Sequence, residues 1–248
     1  MTARPTTESA LWPLPLAAAL LPLVATLVAY GLSIRLGLVP ACNPFIEGCV
    51  SISRAARHDL PNILFRALLL PAAVLQAACW WLSPAWLRTL GAATTRAQRA
   101  LPWLGLVAGV SLVLYGSFLG TDGEGYRWLR RYGTTMYFGL TCIGMLIVAD
   151  QMHRHVGQDR LHRLITRALL WLCGMLPLLG LAHVLLPLAL PGEVTKDALE
   201  NATEWWGSAI FTVFFAGLAW AWRVTGFGVR LQGQAPGGAQ PTRDPQKR

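Results

Sequence analysis

An all-α polytopic membrane protein, a bundle of six transmembrane helices, is the fold class this 248-residue chain predicts. Three observations predict it. Hydrophobic residues make up 54% of the chain and charged ones only 13%, where a soluble domain averages about 45–50% and about 25%. The apolar residues fall in six blocks, each close to the roughly 20 residues a helix needs to cross a bilayer. Basic and acidic residues sort onto alternate connections between those blocks. Mean hydropathy is +0.44.

The first block, residues 11–34, is too long for a signal-peptide core and no A-x-A cleavage site follows it, so it reads as a retained signal anchor. An outer loop, 35–60, leads to the second block at 61–84. A connection of that length is usually functional or disordered, and its content argues for order. The third block, 101–120, carries Gly105, Gly109, Gly116 and Gly120 on roughly one face. That spacing lets helix backbones approach closely in lipid, and it predicts a helix central to the bundle, with a dimer interface as the other use. The remaining blocks cover 132–150, 164–190 and 204–224. Pro71 and Pro177 fall mid-block and predict kinks in the second and fifth helices. Residues 1–10 read as a cytoplasmic polar lead-in, 11–225 as one membrane domain, and 226–248, rich in Gly, Gln, Pro and Arg, as a disordered cytoplasmic tail.

The net charge of +9 is distributed topologically. With the N-terminus inside, Arg88, Arg96, Arg99, Arg154, Arg160, Arg163, Arg167 and Arg223 fall on the inner side. Glu47, Asp59, Asp122, Glu124, Glu193, Asp197 and Glu200 fall on the outer side. Cytoplasmic loops carry such an arginine excess, which places both termini inside and argues against nucleic acid as the partner. Tryptophans agree with a belt at the two interfaces: Trp80, Trp81, Trp86, Trp103, Trp220 and Trp222 on the inner side, Trp128, Trp205 and Trp206 on the outer. Only Lys196 and Lys247 are lysine. With abundant Ala, Leu and Gly, this composition points to a bacterial protein of the inner (plasma) membrane.

Cys42 and Cys49 bracket a six-residue stretch on the oxidising side, where a disulfide persists; a bridge and two free thiols are the alternatives. Two thiols with one nearby histidine make no metal set, and neither metal nor cofactor is expected. Asn201-Ala202-Thr203 is a glycosylation sequon on the outer side.

Polar residues inside membrane spans are costly and are functional candidates by default. Arg66, Tyr115, Tyr137, His183 and Glu204 share one depth, within roughly 10 Å of the outer interface. Converging, they would form a pocket beneath Ser53, Arg54 and His58 of the outer loop, with an Arg66–Glu204 ion pair. Taken singly, Arg66 snorkels to head groups, His183 bonds a neighbouring helix and Glu204 caps the last helix.

Three segments together resemble the family of the damage-regulated autophagy modulators and post-GPI-attachment lipid-remodelling proteins (FRAG/DRAM/SFK). One is the run Ile52–Arg66, with Ile-Ser after the first helix and Pro61 and Phe65 entering the second. Another runs from Gly125 through Tyr126, Arg127 and Gly133 to Met145; the last is Ala202–Trp206. Members often have histidine where Tyr126 and Arg127 stand. The resemblance implies a six-helix fold and a role around membrane lipids or glycolipid anchors, without fixing a reaction.

The leading expectation is a protein that binds or organises lipid at outer-leaflet depth through Ser53, Arg54, His58, Arg66, Tyr115, Tyr137, His183 and Glu204, with arginine meeting a lipid phosphate. An acyltransferase or hydrolase is the alternative. It would need His58 or His183 as base beside Ser51, Ser53 or Ser208, and no G-x-S-x-G elbow supports it. A transporter lacks the inverted repeat and the several buried charges it would want. A structural subunit, a homo-oligomer or a membrane-protein partner stays open.

Overall fold

The computed structural model describes residues 7–157, 159–189 and 193–231. Six long helices are apolar enough to cross a membrane: α1 (Pro13–Arg35), α3 (Asp59–Thr89), α4 (Arg96–Ser117), α5 (Glu124–His155), α6 (Arg160–Ala189) and α7 (Glu193–Val224). A single-turn helix, α2 (Ile52–Ala55), sits in the long loop, and two short strands, β1 (Thr7–Ala10) and β2 (Gly228–Leu231), flank the bundle. The molecule is an all-α integral membrane protein, a six-span bundle.

The helices form a ring. α1 packs on α3, α3 on α4, α4 on α5, α5 on α6, α6 on α7, and α7 returns to α1. Short connections force neighbours to run antiparallel, so two faces emerge. The loop of 36–58, the α4–α5 turn and the start of α7 lie on one; both strands and the arginine-rich α5–α6 turn lie on the other.

Helix ends reach past the apolar blocks. α5 begins at Glu124 and not near 132, and α7 at Glu193 and not near 204. Hydropathy reports the stretch that must meet hydrocarbon, whereas backbone hydrogen bonding continues into the polar interface. α4 starts early because Thr95 and Gln98 form a reciprocal capping box. It stops at Ser117, where Gly120 takes φ +86° and the Arg130 guanidinium bonds the carbonyls of Phe118 and Thr121.

Trp80 organises the centre. Its ring stacks on Phe214 (5.7 Å) and meets Phe215 edge-on (5.5 Å). Gly105 and Gly144 make room for it, since a Cβ at Gly105 would overlap the Trp80 side chain and one at Gly144 would lie 3.2 Å from Cζ3. Gly109 and Gly116 likewise face Ala73, Ala77 and Leu69 of α3, so this glycine face packs α4 on α3. The interfacial tryptophan belt is only partial. Trp81 and Trp103 are exposed, but Trp80, Trp86, Trp205 and Trp222 are buried within the bundle, where ring area fills the ring's interior.

The lead-in and the start of the tail are structured. β1 and β2 pair antiparallel, Thr7 opposite Leu231 and Ala10 opposite Gly228, which corrects the reading of 226–248 as disordered from its start. The physical reason is proximity. α7 lies beside α1, so the two chain ends leave the bundle together, and the glycine at 228 lets the strand approach the Ser9 carbonyl. Arg223 stacks over the Trp12 ring at 5.3 Å beneath them.

Candidate functional site

The loop between α1 and α3 is pinned as a cap. Cys42 and Cys49 are joined by a disulfide, and the Tyr30 hydroxyl donates to the Cys42 carbonyl at 2.7 Å. α7 then grips the loop backbone three times. Asn201 Nδ2 donates to Gly48 O (2.7 Å), Trp205 Nε1 to Val50 O (2.8 Å) and Trp206 Nε1 to Phe45 O (3.1 Å). Gly48 must be glycine: φ is +59° and a Cβ would strike the Ala198 backbone. Asn201 is therefore a buried clamp residue, not an accessible sequon. The loop continues into α2, capped by Ser51, whose Oγ accepts from the Arg54 N–H at 3.1 Å, and held by Ser33 Oγ on Ala55 O (2.6 Å).

Beneath this cap, proline chemistry creates a polar line through the bundle. Pro22 lies inside α1 and has no N–H for the Ala18 carbonyl four residues earlier. Gln76 of α3 supplies the missing donor, Nε2 to Ala18 O at 3.2 Å, and its Oε1 accepts from the Tyr137 hydroxyl of α5 at 2.8 Å. These residues border a central cavity of about 60 Å³, which Tyr115, Thr134, Glu204 and Ser208 also line. At that size it has room for a few waters and not for a lipid head group.

A second space is much larger. About 740 Å³ opens on the loop side between α5, α6 and α7. α5 and α7 meet there through Phe138 and Phe211 and are bridged by α6, whose most apolar 18-residue stretch is only 22% buried against 50% for that of α7. The inner walls of the groove are apolar: Phe138, Cys142, Leu176, Pro177, Leu179 and Phe211. Its loop end is polar, with Ser51, Ser53, Arg54, Asp197, Glu200 and Thr203. Thr134, Phe138, Glu204 and Phe211 border both spaces. Phe138 and Phe211, with ring centroids 4.9 Å apart, form the partition, and Glu204 stands at its polar end.

The exposed carboxylates of Asp197 and Glu200, with the Glu204 carboxyl deeper in, outweigh the single Arg54 guanidinium and make the groove acidic. Its hydroxyls add acceptors more than donors. Thr134, Thr135 and Thr203 each give their proton to the carbonyl four residues back in their own helix, at 2.9, 2.9 and 2.7 Å, which leaves oxygen lone pairs facing out. The backbone N–H groups of Ile52 and Ser53 lie beside the Glu204 carboxylate, and Arg57 is the cation whose charge reaches it.

The expected site residues divide accordingly. Ser53, Arg54 and Glu204 meet on the groove; Tyr115, Tyr137 and Glu204 meet on the central cavity. Arg66 lines neither, and among the described residues it makes no ion pair with Glu204. The reason is rotation about the helix axis: Phe65, Leu69 and Gln76 carry the cavity-facing side of α3. His58 is exposed at the N-cap of α3 and also lines neither space. The side chain of His183 lies outside the described residues. Gln76, Thr134, Phe138, Asp197 and Glu200 are site residues that the sequence reading missed. Pro22 was the available signal for Gln76, since a proline within a span calls for an outside donor. Among the described residues, no group of three or more His, Cys, Asp or Glu is placed to hold a metal ion. No family model, curated protein or solved structure matches the chain.

Proposed function

We propose that this protein binds a membrane lipid, or a lipid-anchored species, through the lateral groove between α5, α6 and α7, with Glu204 as the innermost anchor of the head group. The observation that carries the reading is the groove itself. It has apolar walls between membrane-spanning helices, a polar end under a clamped loop, and a volume of about 740 Å³, within the range of small-molecule sites. Because the groove offers carboxylates and hydroxyl lone pairs, the matching head group presents donors, either sugar hydroxyls or an ammonium. An arginine–phosphate contact through Arg66 gives way to this arrangement. The resemblance to the lipid-remodelling family supports a role around glycolipid anchors. The arginine bias and the disulfide on the opposite face support a bacterial inner membrane, with the groove on its outer leaflet side.

Binding is favoured over acyl transfer from His58 because, among the described residues, that base and the candidate nucleophile Ser53 are not brought together. Ser53 lies on the groove while His58 faces solvent outside it. The test is native mass spectrometry with lipidomics on wild type, Glu204→Gln and Arg66→Ala. A donor-rich lipid retained by wild type and Arg66→Ala but lost from Glu204→Gln supports the reading. The same bulk lipids on all three proteins would refute it.

A further inference from the structure

On the opposite face, where α5 ends and α6 begins, a concavity of about 560 Å³ is lined by His153, Arg160, Arg163, Leu164 and Arg167. We propose that it is a second binding site, for the phosphate head group of an anionic glycerophospholipid in the leaflet on that side.

The three arginines follow one another at spacings of three and four residues, which stacks them on one face of α6. Like charges so placed repel one another. The adjacent acids are engaged elsewhere: Asp150 holds Arg154 at 2.8 Å, and Asp159 pairs with His162. Among the described residues, none of the three has a carboxylate within salt-bridge distance. A cluster of uncompensated guanidiniums around a concavity is satisfied by an anion, and the planar guanidinium fork suits phosphate.

The continuation of that face selects lipid over a soluble anion. Further along the helix come Trp171 and Met175, 73% and 53% exposed. Arginines at the interface followed by an exposed apolar stripe match a phosphate joined to acyl chains. Basic pockets between membrane helices bind anionic head groups in this way.

The experiment titrates delipidated, detergent-solubilised protein with dioleoylphosphatidylglycerol, dioleoylphosphatidylcholine and sodium phosphate, read by native mass spectrometry. Wild type should prefer phosphatidylglycerol. Each Arg→Gln change should weaken it about fivefold, and Arg160→Gln/Arg163→Gln/Arg167→Gln on the order of 100-fold. Arg96→Gln/Arg99→Gln, exposed on the same face, should retain wild-type affinity. The three single variants change one exposed side chain each, so the result survives if the triple variant misfolds. Equal binding of both lipids, or an equal loss in the Arg96/Arg99 control, overturns the site. Displacement of phosphatidylglycerol by phosphate alone would make the ligand a free anion and overturn the lipid assignment.

Discussion

Replacing Gln76 by leucine tests whether the polar line through the bundle is a consequence of Pro22. The change keeps side-chain size and removes two hydrogen bonds, to Ala18 O (3.2 Å) and from the Tyr137 hydroxyl (2.8 Å). An orphaned buried polar group costs about 1–3 kcal/mol, but interhelical bonds within membranes average nearer about 0.6 kcal/mol. The small cavity leaves room for a water beside Tyr137, and leucine gains apolar contact. Gln76→Leu should therefore destabilise the protein by about 1–2 kcal/mol, measured by SDS-driven unfolding in mixed micelles. Adding Pro22→Ala supplies an N–H to the Ala18 carbonyl from within α1. The double variant should then be more stable than Gln76→Leu alone by roughly 0.5–1 kcal/mol. A neutral Gln76→Leu, or a double variant no better than the single, would refute the reasoning.

Other consequences follow from the cap and the centre of the bundle. Reducing the Cys42–Cys49 bridge, or Cys42→Ala/Cys49→Ala, releases an eight-residue ring and should cost about 2–2.5 kcal/mol by loop entropy; an unchanged unfolding midpoint after reductant would contradict this. Trp205→Phe keeps the aromatic contact with Tyr30 (5.3 Å) but strands the Val50 carbonyl, and should cost about 1–2 kcal/mol in the same unfolding assay. Gly105→Ala forces a methyl group against Trp80 and should destabilise by about 1–3 kcal/mol. Combining it with Trp80→Phe should recover part of that loss, and strictly additive effects would show that the two residues do not meet.

The six spans were legible because hydrocarbon demands long apolar runs, and each run in the chain became one helix. Their ends were not, because capping at Thr95 or Gly120 depends on a few polar side chains that hydropathy averages away. Ring closure and strand pairing depend on which helices are neighbours, and α7 beside α1 is a long-range fact no local pattern encodes. The site was legible in part. Glu204, Tyr115 and Tyr137 stand out as polar residues within apolar runs, and all three reach the central cavity. Arg66 stands out equally and does not, since depth is readable from sequence while rotation about the helix axis is set by packing. The Cys42–Cys49 pairing was one of two readings left open, and the structure contains the bridge.

The most direct test of the lipid-binding groove places a photo-crosslinking residue at Leu179, which lines it, or at adjacent Leu178, which is 58% exposed on another face of α6. Leu179 should capture one donor-rich lipid class from native membranes and Leu178 the bulk mixture. Glu204→Gln should abolish the difference. The same lipid mixture captured at both positions, with Glu204 intact, would contradict it.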